Sequence, residues 1–355
     1  MQKKYIKTKS LKIWRLIIRF LIQVGILITK TAIKSMKEYG GYIELDTFRG
    51  NMLHESAIAL NCGRAALEYV CEAKDIRKLY IPYFLCSSIP NLCNKIGLKY
   101  EYYRINNKFE PIFNKKLNEG EWIYIVNFYG QLNNDYINAL KQKYNRIIVD
   151  NAQSYFQMPV DNVDTIYTCR KYFGVADGSF LYTNSKLNRE IPIDESFERM
   201  HFLLGRYERN ASEFYSEYVQ NNKLFADEPI KKMSRLTNNL LHAIDYEMVA
   251  KRREENFVVL NTMLHDMNEL ELKNVYGAYM YPLLIKNGFE IRKILQKNRI
   301  YIPTLWPNVL EECTSDSLEY HYAADILPIP IDQRYGIEDM KYLVKEIKNV
   351  LIKRT

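Results

Sequence analysis

The sequence of 355 residues contains no Cys-X-X-Cys pair, no histidine cluster, no internal repeat and no low-complexity tract. Its six cysteines (62, 71, 86, 93, 169 and 313) share no recurring spacing, and its five histidines are scattered. That argues against a structural zinc site and a disulfide framework, and for a reduced, cytoplasmic protein without metal. A membrane span needs ~20 apolar residues. The apolar segment 13–33 is interrupted, and its longest charge-free run extends only from Phe20 to Thr29. Acidic residues are absent from the first 36 positions, which hold nine lysines and arginines. Of the formal net charge of +8, 8 − 9 leaves −1 for the remaining 319 residues. A neutral body gives no reason to expect nucleic-acid binding.

The basic N-terminal segment has a pattern of its own. On a helix, Lys12, Arg15, Arg19, Gln23, Lys30 and Lys34 fall near one stripe, with Ile, Leu, Phe and Trp around the rest. That fits a helix lying in an anionic membrane surface, its long basic side chains reaching back to the headgroups. Two arginines break the apolar region and no small-residue cleavage site follows, which argues against a signal peptide. Met36 opens Met36-Lys-Glu-Tyr-Gly-Gly-Tyr-Ile-Glu-Leu, which reads equally as the start of the domain. Residues 1–36 are therefore either a membrane-surface helix or sequence upstream of the true start.

From Tyr42 onward, short apolar runs alternate with helical patterns, as expected of an α/β protein with a mainly parallel sheet. Strands are expected at 78–81, 99–103, 122–126, 146–149, 165–167 and 179–182, and helices at 64–73, 87–96, 134–144 and around 195–224. A long helix over 239–268, charged in its middle, leads into a second domain. There 277–286 and 299–303 read as strands, 289–297 and 337–353 as helices, and the Pro328/Pro330 pair as a turn. Residues 37–245 are expected to form a large domain and 246–355 a small C-terminal α+β domain.

Chemistry concentrates in Ile147-Ile-Val-Asp150-Asn-Ala-Gln153 and Tyr167-Thr-Cys-Arg-Lys171-Tyr-Phe-Gly-Val-Ala-Asp-Gly178. A buried strand ending in a carboxylate, then a lysine at a second strand's edge, is what pyridoxal phosphate chemistry requires. Asp150 keeps the pyridine nitrogen protonated, so that the ring draws electrons, while Lys171 forms the Schiff base and moves the proton. Taken singly, Asp150 also reads as a strand-end turn residue and Lys171 as a solvated charge. Asn61-Cys-Gly63-Arg64-Ala-Ala-Leu67 opens a helix whose free amides and nearby guanidinium favour an anion, or it is an ordinary strand-to-helix turn. Asn127 and Gln131, just past another strand, either contact a ligand there or belong to a plain glycine turn.

In their order, these segments resemble the DegT/DnrJ/EryC1/StrS family of sugar aminotransferases, over about residues 40–355. Asn-Cys-Gly63-Arg64-Ala-Ala-Leu is similar to the family's phosphate turn, and Asn127-Phe-Tyr-Gly-Gln131 to its His-Leu-Tyr-Gly-Gln segment. Asp150-Asn-Ala-Gln153 is similar to its Asp-Ala-Ala-Gln, in which the glutamine lies against the cofactor ring. Lys171 and the following Ala-Asp-Gly178-Ser-Phe-Leu-Tyr-Thr are similar to its Schiff-base lysine and downstream strand. The Leu-Pro and Glu-Asp segments at 326–330 and 338–340 are similar to its closing pattern.

The resemblance implies a fold type I PLP-dependent transferase, with a large αβα domain and pyridoxal 5'-phosphate as cofactor. It further implies a homodimer that transfers an amino group from glutamate to a nucleotide-linked keto sugar for surface polysaccharide. Gly63, Arg64 and Thr168 then hold the phosphate, and Asn127 and Gln153 lie about the cofactor. Relatives that dehydrate sugars carry histidine in place of the lysine, so Lys171 argues against that reaction. Two departures stand out. Arg64 replaces a hydroxyl residue, and Cys86, in Pro82-Tyr-Phe-Leu-Cys86-Ser-Ser, occupies the position of the ring that stacks on the cofactor, with Phe84 or Tyr83 as the alternative rings nearby. Ser234-Arg235-Leu-Thr-Asn238 falls where the partner subunit's phosphate-reaching motif is expected. Two other readings are a catalytically idle cofactor-binding partner subunit and a membrane-peripheral assembly protein resting on residues 1–36.

Overall fold

In the computed structural model of the protein, which describes residues 39–352, the chain divides into two units between Thr47 and Phe48. Residues 39–47 are exposed and carry no helix or strand. The membrane-surface helix considered for residues 1–36 lies outside the described residues. Among the described residues, no helix is long and apolar enough to cross a membrane.

The unit beginning at Phe48 opens with β1 (Ile58–Leu60), α1 (Gly63–Ala73), β2 (Lys78–Pro82), α2 (Ser88–Lys95), β3 (Lys99–Ile105) and β4 (Pro111–Ile112). There follow β5 (Glu121–Val126), α3 (Asn134–Tyr144), β6 (Ile147–Asp150), β7 (Asp164–Thr168) and β8 (Ser179–Tyr182). These strands form one sheet in the order β1-β8-β7-β6-β5-β2-β3-β4. β3, β2, β5, β6 and β7 run parallel, while β4, β8 and β1 are antiparallel to their neighbours. The middle strands are unbroken apolar runs, Ile123–Val126 and Ile147–Val149, because central strands of a parallel sheet are buried on both faces. Each such side chain contributes about 1.5–3 kcal/mol by leaving water.

Strand order reverses between β2 and β5, and at such a switch point the carboxyl ends of parallel strands leave a crevice. α1 enters this region because Cys62 is extended and its Sγ accepts from the Ala65 amide at 3.4 Å, ending the strand and starting the helix. Ala65, Ala66, Leu67 and Val70 then bury the helix against β7 and β8.

The remainder comprises α4 (His201–Glu208), α5 (Tyr215–Leu224), α6 (Arg235–Leu241), α7 (Tyr246–Leu264), β9 (Met280–Leu284), α8 (Gly288–Lys297), α9 (Val309–Glu312), α10 (Leu318–Asp325), β10 (Ile326–Pro330) and α11 (Ile337–Ile352). A second core gathers Phe257, Leu260, Tyr281, Leu283, Ile291, Leu327, Ile329 and Ile347.

Several expectations are corrected. The helix expected around 195–224 is interrupted: Arg209 is extended and Asn210 restarts the chain with a capping box to Glu213. The long helix begins only at Tyr246, where Asp245 accepts from the Met248 amide at 2.9 Å; residues 239–241 belong to α6 and 242–245 form the turn between. Residues 299–303 form no strand. The partner of β9 is β10, whose prolines read as a turn. Pro328 faces Pro282, and Pro330 faces Met280 two residues on, so all three prolines share one register parity. The ladder bonds therefore come from Leu327↔Leu283 and Ile329↔Tyr281, and no proline is asked to donate.

Candidate active site

A pocket of about 140 Å³ opens at the carboxyl ends of β2, β5, β6 and β7. It is lined by Cys62, Gly63 and Arg64 from the start of α1, and by Leu85, Cys86, Ser88 and Ile89 after β2. The strands contribute Tyr124, Val126, Asp150, Ile166 and Thr168, and Ala152, Gln153, Arg170, Lys171 and Trp306 complete it. Apart from Trp306, these residues, distant in sequence, meet here because each follows or ends a strand of the same sheet.

Asp150 is fixed from two sides. Its Oδ2 accepts from the Tyr124 hydroxyl at 2.7 Å, and its Oδ1 accepts from the Ala152 amide at 2.8 Å. Tyr124 lies buried on β5, and burial, with Asp150 beside it, pushes its phenol well above the ordinary range. The phenol is therefore a permanent donor to the carboxylate. Gln153 is buried, its Oε1 accepting from the Tyr129 amide at 2.8 Å.

Lys171 lies in the turn after β7 rather than on a strand, and it is exposed. Its Nζ is 5.7 Å from the centre of the Tyr279 ring. The backbone beneath it is firmly held. Cys169 O accepts from the amides of Tyr172 and Phe173, each at 2.9 Å. Tyr172 O accepts from Gln333 Nε2 at 2.8 Å and from the buried Arg253 at 3.5 Å. An exposed side chain on a firmly held turn suits a group that must reach a ligand.

The opposite end of the pocket is cationic. Arg64 Nη2 donates to Asn222 O at 3.0 Å, and Arg170 donates to the side-chain oxygen of the same Asn222. Burial draws the Arg170 guanidinium below its ordinary pKa and pushes the Cys62 thiol above its own. In the same pocket, Thr168 Oγ1 is buried without a hydrogen-bond partner. A Cβ on Gly63 would come within 3.0 Å of Thr168 Cγ2, so a side chain there would crowd the start of the helix.

Asn127 is not brought into the pocket. It is fully buried, and its amide donates to Leu132 O at 3.1 Å, Asn151 Oδ1 at 3.1 Å and Gln157 Oε1 at 2.8 Å, while Oδ1 accepts from the Leu132 amide at 2.9 Å. It fastens the turn after β5. Gln131 likewise turns away, bonding the backbone of Lys273 in both directions. Cys86 does line the pocket, its Sγ 2.7 Å from Ser88 Oγ. Ser234 is buried and bound to Asp177 through both its amide and its hydroxyl, at 2.8 and 2.7 Å. Sequence reading missed Tyr124, Arg170 and Trp306. The first was legible as an alternate residue of an expected strand, whereas Trp306 arrives from a loop that nothing local ties to the site. Among the described residues, no group of three or more His, Cys, Asp or Glu is placed to hold a metal ion.

No protein-family model matches the sequence, and no curated protein matches it. Solved structures do. A DegT DnrJ EryC1 StrS aminotransferase from Brucella abortus is similar at 16% identity and a TM-score of 0.56, over 83% of this chain and 85% of that one. PseC of Helicobacter pylori, an aminotransferase involved in the biosynthesis of pseudoaminic acid, is similar at 15% identity and 0.56, over 82% and 86%. DesI, solved in the presence of its TDP-sugar product, is similar at 12% identity and 0.57, over 82% and 79%. At these identities the likeness is one of fold. The chain has the α/β fold of the DegT/DnrJ/EryC1/StrS sugar aminotransferases.

Proposed function

We propose that this chain is a pyridoxal 5'-phosphate-dependent aminotransferase that moves an amino group from glutamate to a nucleotide-linked keto sugar, for surface polysaccharide. One observation carries the reading. Asp150, Gln153, Lys171, Gly63, Arg64 and Thr168 line one pocket at the strand ends of a fold shared with sugar aminotransferases. The TDP-sugar product of DesI supports a nucleotide-linked substrate.

The residues fit the cofactor. Thr168 Oγ1 lacks a partner at the cationic end, where a phosphate would supply acceptors. Gly63, Arg64 and Thr168 would hold that phosphate, with the free amides at the start of α1. When bound, pyridoxal phosphate supplies an electron sink for the bonds at the substrate's amino-bearing carbon. Asp150, oriented by the Tyr124 hydroxyl and the Ala152 amide, would accept a hydrogen bond from the ring nitrogen. Lys171 is the residue that would hold the cofactor covalently through Nζ, and its amine would be the base that takes the proton from the donor's α-carbon and returns it. Gln153, fixed by the Tyr129 amide, would lie against the ring. Residues 37–245 make the cofactor-binding domain and 246–355 the small domain of a cytoplasmic homodimer.

A second reading, a cofactor-binding partner subunit without turnover, is favoured by the engagement of Arg64 with Asn222 O. Absorbance spectroscopy separates the two. Purified protein given pyridoxal phosphate is expected to show a visible band that bleaches with glutamate and returns with a nucleotide-linked keto sugar, with Lys171→Ala as the blank. A band indifferent to every amino donor supports the second reading, and no band sinks both.

A further inference from the structure

A flat heterocycle needs a flat wall, and the pocket offers few. Among its lining residues only Tyr124 and Trp306 are aromatic, and the Tyr124 hydroxyl is committed to Asp150. Cys86, at the position that resembles the family's stacking ring, brings a thiol bonded to Ser88. Trp306 reaches the pocket from the far side of the sequence and is held there. Its indole meets Phe84 nearly edge-on, with ring centres 5.0 Å apart at 70°, and meets Phe128 at 5.9 Å and 59°. Asn308 Nδ2 donates to Leu85 O at 3.0 Å, which ties the loop of Trp306 to the loop of Cys86. The indole is only half-buried, so these contacts fix its position and leave part of its surface facing the pocket.

We propose that Trp306 is the ring against which the pyridoxal heterocycle packs, in place of the side chain that Cys86 does not provide. The inference rests on the cofactor reading above and deepens it. The large indole compensates for the small residue at Cys86, and it comes from a segment some two hundred residues later. The loop of Trp306 thereby makes cofactor binding depend on the C-terminal part of the chain.

Affinity, rather than turnover, tests this. Pyridoxal phosphate is titrated into the wild-type protein, Trp306→Leu and Trp306→Phe, and the visible band gives Kd for each. Leucine keeps an apolar side chain against Phe84 and Phe128, and near-ultraviolet circular dichroism checks that each variant is folded. Loss of an aromatic face is expected to raise Kd about tenfold in Trp306→Leu, while Trp306→Phe stays within about threefold of wild type. A leucine variant that binds as tightly as wild type, or a phenylalanine variant as weak as leucine, overturns the proposal. A wild-type protein that binds no cofactor overturns the proposed function itself, which is a different result.

Discussion

The Tyr124 hydroxyl donates to Asp150 Oδ2 across the parallel pair β5 and β6, at 2.7 Å. A buried phenol on one strand thus sets the direction of a carboxylate on the next. A hydrogen bond to a charged group contributes about 1.5–3 kcal/mol. Tyr124→Phe is therefore expected to lower stability by about 1–2 kcal/mol in urea denaturation and to slow amine exchange with glutamate about tenfold. Unchanged values for both would mean that the Ala152 amide alone suffices to hold Asp150.

Thr168 offers a pair of effects with opposite signs. Its Oγ1 has no partner in the fold, and an unmet buried hydroxyl costs about 1–3 kcal/mol. Thr168→Val removes that cost, so the cofactor-free protein is expected to gain about 1 kcal/mol while its Kd for pyridoxal phosphate rises several-fold. Calorimetry with and without the cofactor reads both. A valine variant that loses stability without cofactor contradicts this account.

His54 lies fully buried among Tyr155, Tyr167, Phe180 and Tyr182. Its Nε2 is 2.9 Å from Tyr155 O, which only accepts, so this nitrogen carries the proton and Nδ1 accepts from the Tyr182 hydroxyl at 3.1 Å. Burial lowers the ring's pKa from 6.5 to about 4. The unfolded chain therefore binds a proton that the folded one refuses, and the stability contributed by the neutral ring is present above pH 6.5 and lost as pH falls toward 4. The loss amounts to about 3 kcal/mol over that window. His54→Gln, though weaker at pH 7, is expected to show a flatter profile between pH 6.5 and 4, measured by urea midpoints. A slope equal to wild type would assign the acid sensitivity elsewhere.

Gly178 adopts φ +116, a conformation that side chains rarely tolerate, and its amide donates to Asn61 O at 2.6 Å. A Cβ there would lie 3.1 Å from both Cys169 and Thr237. Gly178→Ala is expected to cost about 2 kcal/mol or more. It should also shift the turn that carries Lys171, since Cys169 N bonds to Gly178 O. Loss of the cofactor's visible band alongside a lowered urea midpoint would report both effects.

The legibility of the sequence follows the range of the interactions. β5, β6 and the turn at Lys171 were readable because continuous apolar runs and a polar residue at the strand end are local signals. β1 was not, since three residues pairing with β8 acquire their meaning only from a distant strand. Residues 299–303 alternate like a strand yet pair with nothing, whereas Ile326–Pro330 pairs fully with β9 despite its prolines. Asn127 was rightly placed just past a strand, but its position could not reveal that a turn would occupy its whole side chain. Trp306 and Tyr124 show the same limit: composition gives an aromatic residue, and only tertiary structure gives it an address.

The parity of the three prolines has a consequence for the molecule's company. In the β9–β10 ribbon, residues that do not bond across the pair point their backbone groups outward, toward either edge. Pro282 therefore removes a donor from one outer edge, and Pro328 and Pro330 remove two from the other. A third strand, from another chain or from a partly unfolded copy, would find gaps along β10 where it needs hydrogen bonds, while the edge of β9 is already bonded by Asn268 and Glu269. The same residues that disguise this ribbon in the sequence guard it against runaway sheet growth.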